Sequence, residues 1–314
     1  MSVTKEARPY LKWVGGKWAL APRLAQLMPR DINERVYREP FVGGGAMFFY
    51  LQPPRAVLSD VNESLVALHR EIRDNAANVM ANVDALVRAH GRNGEAPNGE
   101  ARYLEERARF NAHLSGEARM YDCELTAVFL YLNKMGFNGL CRFNRAGLYN
   151  TPWGKNPRRA VYDRRNIYAA SRALQGAHIF AASYEHLLEP ERGAQPGDVV
   201  YLDPPYVPLS ATSDFTSYAG GAWSEAEHAR LAAVYRELDL RGCLLIVSNS
   251  DTPRTRELYG GFDLTAVTAP RRVAARAASR VDTGELVIRN TLRWPPAAVP
   301  VPWLNALEAL CGAP

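Results

Sequence analysis

The chain has 314 residues, 47% of them hydrophobic and 23% charged, with a formal net charge of +5. That length allows one large α/β domain with an insertion, or two domains; no apolar run approaches the roughly 18–20 residues that span a bilayer, and residues 1–8 carry no apolar secretory segment. Cys123, Cys141, Cys243 and Cys311 form no C-x-x-C pair, which excludes a disulfide framework and a structural zinc site and fits a reducing cytoplasm.

Near the N-terminus, Leu11-Lys12-Trp13-Val14-Gly15-Gly16-Lys17 reads as a glycine turn flanked by Lys and Trp, with a helix over 22–28 after it. Residues 35–39 read as a short strand. It enters Pro40-Phe41-Val42-Gly43-Gly44-Gly45, and a helix follows over 46–51. Residues 56–60 form a second strand ending in Asp60, and Asn62 caps a helix that continues to about residue 72. From 76 to 132 the pattern is helical, broken by the Gly- and Asn-rich loop 91–99; the stretch 117–132 is apolar enough to be an inner helix. Residues 133–154 are rich in Asn, Gly, Arg and aromatics and predict a hairpin between 140–143 and 147–150. Strands return at 178–180, 199–202, 243–247, 264–267 and 285–288, with helices over 224–238 and 253–259. Alternation of strand and helix at both ends, around a helical and hairpin-bearing middle, predicts an α/β fold with one sheet interrupted by an insert. The tail beyond Trp294 is Pro-rich, then weakly amphipathic, and carries no assigned role.

The most informative stretch is Asp203-Pro204-Pro205-Tyr206, directly after the apolar run Asp198-Val199-Val200-Tyr201-Leu202. Open α/β sheets place their chemistry at the carboxyl ends of strands. The two prolines rigidify the turn and remove two backbone donors. A carboxylate, bare carbonyls and an aromatic face are thereby presented together. A flat heterocycle with an exocyclic NH2 needs that set: acceptors for the amine hydrogens and a ring to stack on. Accepting those hydrogens at Asp203 and at a carbonyl near Pro204 favours the pyramidal, nucleophilic nitrogen. Tyr206 would stack on the base, which must leave its duplex to reach such a site.

The Gly-rich turn Phe41-x-Gly43-x-Gly45, with Asp60 ending the next strand, fits an adenosine-containing cofactor. Glycines let a ligand approach the backbone, and an acid at the end of the second strand can accept from ribose hydroxyls. The dinucleotide fingerprint is incomplete because Phe48 stands where the third glycine would be, and no Walker loop surrounds Lys17. S-adenosylmethionine, whose methyl is already activated on a sulfonium, suits this turn and needs no metal. The six histidines show no metal-ligand spacing and read as structural or surface residues. On the hairpin, Asn138 and Arg142 are side-chain types that read adenine and guanine, and Phe137 or Leu140 could wedge between bases; an ordinary exposed hairpin is the alternative. Arg271, Arg272, Arg276 and Arg280 form a late basic segment suited to phosphate contact, or to a solvated loop. Lysine occurs at only five positions, and the excess of Arg follows largely from base composition, since Ala is abundant too.

Together these residues resemble the Dam family of DNA adenine N6-methyltransferases over about residues 10–290. The motifs that carry the resemblance are Lys12-Trp13-x-Gly15-Gly16-Lys17, Glu39-Pro40-Phe41-Val42-Gly43-x-Gly45, Ser59-Asp60-x-Asn62, Asn138-Gly139-Leu140-Cys141-Arg142-Phe143-Asn144 and Asp203-Pro204-Pro205-Tyr206-x-Pro208-Leu209-Ser210. The resemblance implies a Rossmann-like seven-stranded mixed sheet. A catalytic domain from 1–74 and 165–294 would bind S-adenosylmethionine; a target-recognition insert would span 75–164; residues 295–314 would be a tail. It implies cofactor positions at Trp13, Lys17, Phe41, Gly43, Gly45, Asp60 and Asp203, and a catalytic loop of Asp203, Pro204, Pro205 and Tyr206. It implies DNA contacts from Phe137, Asn138, Leu140, Arg142 and Asn144, and a later loop near DNA at Phe215-Thr216-x-Tyr218. Double-stranded DNA, with GATC as the target, and a cytoplasmic monomer without a metal complete the expectation. Phe137 stands where the family has Tyr, and 273–279 is Ala-rich where the family carries Ser, Asn and Gly.

Three rivals remain at this level. N4-cytosine methylation uses the same acceptor geometry, although Asp at the head of the tetrapeptide favours adenine. A DNA-binding regulator on a decayed scaffold is opposed by the intact Gly43, Gly45, Asp60 and catalytic tetrapeptide. A nicotinamide dehydrogenase lacks its third glycine and a hydride-transfer His.

Overall fold

The computed structural model describes residues 7–88, 99–116, 121–144, 146–156, 159–208, 217–218, 221–267, 285–291 and 294. In chain order the strands are β1 Tyr37–Glu39, β2 Ala56–Asp60, β3 Ala177–Ala181, β4 Val199–Leu202, β5 Ser217–Tyr218, β6 Gly221–Ala222, β7 Leu244–Ser250, β8 Asp263–Val267 and β9 Glu285–Arg289. The helices are α1 Ala21–Gln26, α2 Ala46–Leu51, α3 Glu63–Arg88, α4 Glu100–Leu114, α5 Cys123–Met135, α6 Arg164–Leu174, α7 Glu225–Leu240 and α8 Pro253–Leu258. Among the described residues, strands β5 and β6 pair only with each other.

The other strands form one mixed sheet of seven, in the order β3-β2-β1-β4-β7-β9-β8. All neighbours from β3 to β7 are parallel, and β9 runs antiparallel to both β7 and β8. This is the Rossmann-like sheet expected from the sequence. Chain order reverses direction between β1 and β4, which are adjacent, and that reversal opens a crevice at their carboxyl ends. Glu39 ends β1, Asp60 ends β2 and Asp203 follows β4, so three acids converge there.

Strand alternation divides the core. Val199, Tyr201, Leu244, Ile246 and Val287 join one apolar cluster; Val200, Leu202, Leu245, Val247, Leu286 and Ile288 join the other with α7 and α8. Both faces are covered, which is why β4 and β7 read as unbroken apolar runs. The first cluster continues from the sheet into α3, α4 and α5, through Val79, Val83, Phe110 and Phe129. The helical insert therefore shares its core with the sheet. Helix α5 is buried almost all round because it is inserted between α3 and α4. It starts at Cys123, later than the apolar pattern suggests, because Asp122 caps it by accepting from the Leu125 N–H at 2.8 Å. Helix α3 continues past residue 72 and bends at Asn75, whose φ of −134° and ψ of 32° are non-helical.

Helix α6 has no counterpart in the elements read from the sequence. Its buried Asn166, Ile167, Ala170 and Leu174 recur at helical spacing, and Asp163 caps it through the Arg165 and Asn166 N–H groups. Its arginines Arg164, Arg165 and Arg172 stand on the exposed face. The predicted hairpin forms as a short turn. Phe143 bridges Tyr149, the Asn144 N–H donates to the Leu148 carbonyl at 2.9 Å, and the Asn150 N–H donates to the Arg142 carbonyl at 2.9 Å. No helix among the described residues is long and apolar enough to cross a membrane. Most of the loop 91–99, the segments 209–216 and 271–280 and the tail 295–314 lie outside the described residues.

Candidate active site

The crevice is a cavity of about 950 Å3, lined among others by Trp13, Lys17, Phe41, Gly43, Asp60, Asp203, Pro204, Pro205 and Tyr206. The N-terminal glycine turn, the Gly-rich turn after β1, the end of β2 and the Asp203–Tyr206 turn after β4 thus share one space. Cys141 and Phe143 of the hairpin also line it, so the hairpin adjoins the candidate site.

The turn after β1 is fixed from several sides. Gly43 has φ +47°, and a Cβ there would lie 2.7 Å from the Trp13 ring, so the glycine admits both the left-handed backbone and the indole. Its N–H donates to Asp60 Oδ2 at 3.1 Å, and the Asn62 N–H donates to Asp60 Oδ1 at 3.0 Å. Asp60 therefore ties the glycine turn to β2, beyond the ribose contact its position suggests. Burial raises its carboxyl to about 6, against the pull of those N–H groups. The Gly43 carbonyl accepts from His69 Nε2 at 2.8 Å, so Nδ1 is the acceptor for the Tyr10 hydroxyl at 2.5 Å. Burial lowers His69 to about 4, which keeps this neutral tautomer at ordinary pH. His69 is the structural residue expected, and what it supports is the Gly-rich turn after β1.

At the far side of the turn, Phe41 stacks on Tyr184 with centroids 5.5 Å apart and meets Trp223 edge-on at 5.7 Å. The cradle of open backbone, carboxylate and aromatic wall has the size and donor set for a nucleoside-bearing cofactor. Trp13, Phe41, Gly43 and Asp60 would hold it.

The turn after β4 is held by the neighbouring strand β7 and by Lys17. Lys17 Nζ lies 3.0 Å from Asp203 Oδ1, donates to the Gly15 carbonyl at 2.6 Å, and sits 4.4 Å from the centroid of the Tyr206 ring. Ser248 of β7 donates its hydroxyl to the same Oδ1 at 2.9 Å and must therefore accept from Tyr201, 2.9 Å away. Oδ1 is thus doubly occupied, while Asp203 Oδ2 has no partner among the described residues. Burial raises the Asp203 carboxyl, and the Lys17 cation and both hydrogen bonds oppose that rise. Farther along, the Val207 N–H donates to Asn249 Oδ1 at 3.0 Å, and the Ser250 hydroxyl donates to the Val207 carbonyl at 2.5 Å. Glu39, under the same cavity, accepts from the Tyr37 hydroxyl and the Phe48 N–H, and burial raises it to about 8.

Of the DNA-facing candidates, Phe137, Asn138, Arg142 and Asn144 are exposed and Leu140 is half-buried. Arg142 Nε donates to Asn150 Oδ1 at 2.9 Å. Asn144 Oδ1 accepts from the Ala146 and Leu148 N–H groups, so that oxygen shapes the turn. Asn133, Ser248 and Glu285 escaped the sequence reading as supports of the site, and His69 reads there as structural without its partner on the Gly-rich turn. Ser248-Asn249-Ser250 did leave a signal, as three polar residues ending a strand that is otherwise apolar.

A family model, D12 class N6 adenine-specific DNA methyltransferase, matches residues 13–273. The chain belongs to that family. It is 35% identical over 286 residues to the type II methyltransferase M1.LlaDCHI of Lactococcus lactis subsp. cremoris, covering 90% of this chain and 95% of that protein. It is 34% identical over 284 residues to a DNA adenine methylase of Vibrio cholerae, covering 90% and 96%. It is 32% identical over 283 residues to the DNA adenine methylase of Escherichia coli (strain K12), covering 90% and 95%. The membership makes this an adenine-specific DNA methyltransferase, an enzyme class that implies S-adenosylmethionine as methyl donor. Among the described residues no group of three or more His, Cys, Asp or Glu could hold a metal ion.

Proposed function

We propose that this enzyme methylates N6 of a flipped adenine in duplex DNA at GATC, working as a monomer without a metal. Residues 75–164 would serve as the recognition insert between catalytic segments 1–74 and 165–294. The observation that carries the chemistry is the division of labour on Asp203. Oδ1 is saturated by Lys17 and Ser248, which leaves Oδ2 to accept one amine hydrogen. A main-chain carbonyl of the Pro204 turn accepts the other, and the nitrogen becomes pyramidal with its lone pair directed outward. S-adenosylmethionine supplies an activated methyl when bound. Asp203 need only be ionised, since the methylated nitrogen is strongly acidic and releases its extra proton readily. Tyr206 offers its ring as the stacking surface, and Lys17 over that ring leaves the opposite face for the base.

GATC rests on the motif match at Asn138, Leu140, Arg142 and Asn144, carried on a hairpin whose other residues line the cavity. Purified protein incubated with unmethylated DNA and S-adenosylmethionine, followed by nucleoside mass spectrometry, tests the reaction. Protection from a GATC-cutting nuclease that adenine methylation blocks tests the site. N4-methylcytosine, or no modified base, would overturn the proposal; N6-methyladenine without protection would overturn GATC alone.

A further inference from the structure

Glu285 opens β9, the antiparallel strand, and belongs to none of the motifs that identify the enzyme. Its register places it opposite Ser250 of β7 and Val267 of β8. The Tyr206 hydroxyl donates to Glu285 Oε2 at 3.1 Å, and Glu285 lines the same cavity as Asp203 and Lys17. Tyr206 is thereby held at two points: Lys17 lies 4.4 Å from its ring centroid and Glu285 holds its hydroxyl. The turn that carries it is fixed separately, at Val207, by Asn249 and Ser250. Lys17 stands among two carboxylates, Asp203 and Glu285, and favours the ionised form of each, while burial and the carboxylates' mutual repulsion raise Glu285.

A tyrosine hydroxyl lies on the axis about which the ring turns, so an anchor there fixes where the far end of the ring stands, and a contact on its face fixes the plane. A stacking surface stabilises a flipped base only if the ring stands in the right plane before the base arrives. We propose that Glu285 is a positioning residue for methyl transfer: it accepts the Tyr206 hydroxyl and fixes the far end of the ring on which the target adenine stacks, while Lys17 holds the opposite face. This rests on the reading of the site as an adenine N6-methyltransferase centre.

The test is a double-mutant cycle on single-turnover methyl transfer to duplex DNA, with E285A, E285Q, Y206F and Y206F/E285A. Loss of a charge-assisted hydrogen bond predicts that E285A slows transfer roughly 10- to 100-fold. E285Q, whose amide oxygen still accepts, recovers most of that loss. In the Y206F background E285A adds less than about 2-fold, because its partner is already gone. Cofactor affinity by calorimetry stays near wild type throughout, which a general collapse of the cavity would not allow. Multiplicative effects in the cycle, or an E285Q as slow as E285A, would overturn the proposal and point to direct contact of Glu285 with the base. If the wild-type protein methylated no adenine, the functional reading would fail by itself. The Tyr206–Glu285 coupling measured by urea unfolding would then judge the anchor, and a coupling of zero would overturn it.

Discussion

Asn133 joins the two segments that sequence motifs assign to different roles, and its replacement by Ala should uncouple them. The residue is fully buried at the end of α5. Its Oδ1 accepts from the Lys12 N–H at 3.0 Å, and its Nδ2 donates to the Lys12 carbonyl at 2.8 Å and the Gly139 carbonyl at 3.3 Å. One side chain thus pins the segment leading to Trp13 and Lys17 against the hairpin that carries Asn138 and Arg142. Asn133→Ala removes three hydrogen bonds and leaves three backbone groups without those partners. At a net value of about 1 kcal/mol per bond, with partial access of water on the exposed Lys12 side, the expected loss of stability is about 2–4 kcal/mol. Urea unfolding measures it, with an unchanged slope showing that the unfolded state is the same. The same variant should bind DNA less selectively, since the hairpin loses its anchor. Gly139→Ala strikes the joint from the other side: φ is +67°, and a Cβ would lie 2.5 Å from Lys12 Cβ. A loss below about 0.5 kcal/mol for Asn133→Ala, the range of surface substitutions, would refute the reasoning and show that water replaces the amide at no cost.

Other expectations concern charge and stacking. Ser248→Ala removes a hydrogen bond that favours ionised Asp203, so the acid limb of the pH–kcat profile should move to higher pH; an unmoved limb would separate that limb from Asp203. Asp203→Ala should retain DNA binding and lose about 100-fold or more of methyl transfer, which a single-turnover assay with a parallel binding titration resolves. Glu39 is raised to about 8 by burial, so its share of stability is full below its unfolded value near 4.5 and is lost as pH rises towards 8. Between pH 5.5 and 8 that share is up to about 3 kcal/mol. Comparing urea unfolding of wild type and Glu39→Gln at both values should show the extra loss in wild type only. Phe41→Leu removes the stack on Tyr184 and should weaken cofactor binding about 10-fold by calorimetry, with little effect on site choice.

What could be read in advance follows the distinction between local and crossed information. Strand β4 and its tetrapeptide are contiguous, so apolar run, breaker and acid announce each other. The same holds for the Gly turn and Asp60, which successive elements bring together. Helix α6 was equally local, with Ile167, Ala170 and Leu174 at helical spacing after the cap at Asp163, although the sequence reading assigns no helix there. The supports of the site were not legible for a different reason. Ser248, Glu285, Asn133 and His69 meet their partners 45, 79, 121 and 26 residues away. Apart from Ser248, in the polar end of an otherwise apolar strand, none of them differs in type from an ordinary polar residue in a strand or helix. The antiparallel insertion of β9 beside β7 is what carries Glu285 to Tyr206, and that pairing depends on the closure of the sheet. Motifs therefore mark the turns that line the cavity, whereas the side chains that hold those turns are set by topology. Mutations at the second kind should lower rate or selectivity while every recognisable motif remains intact.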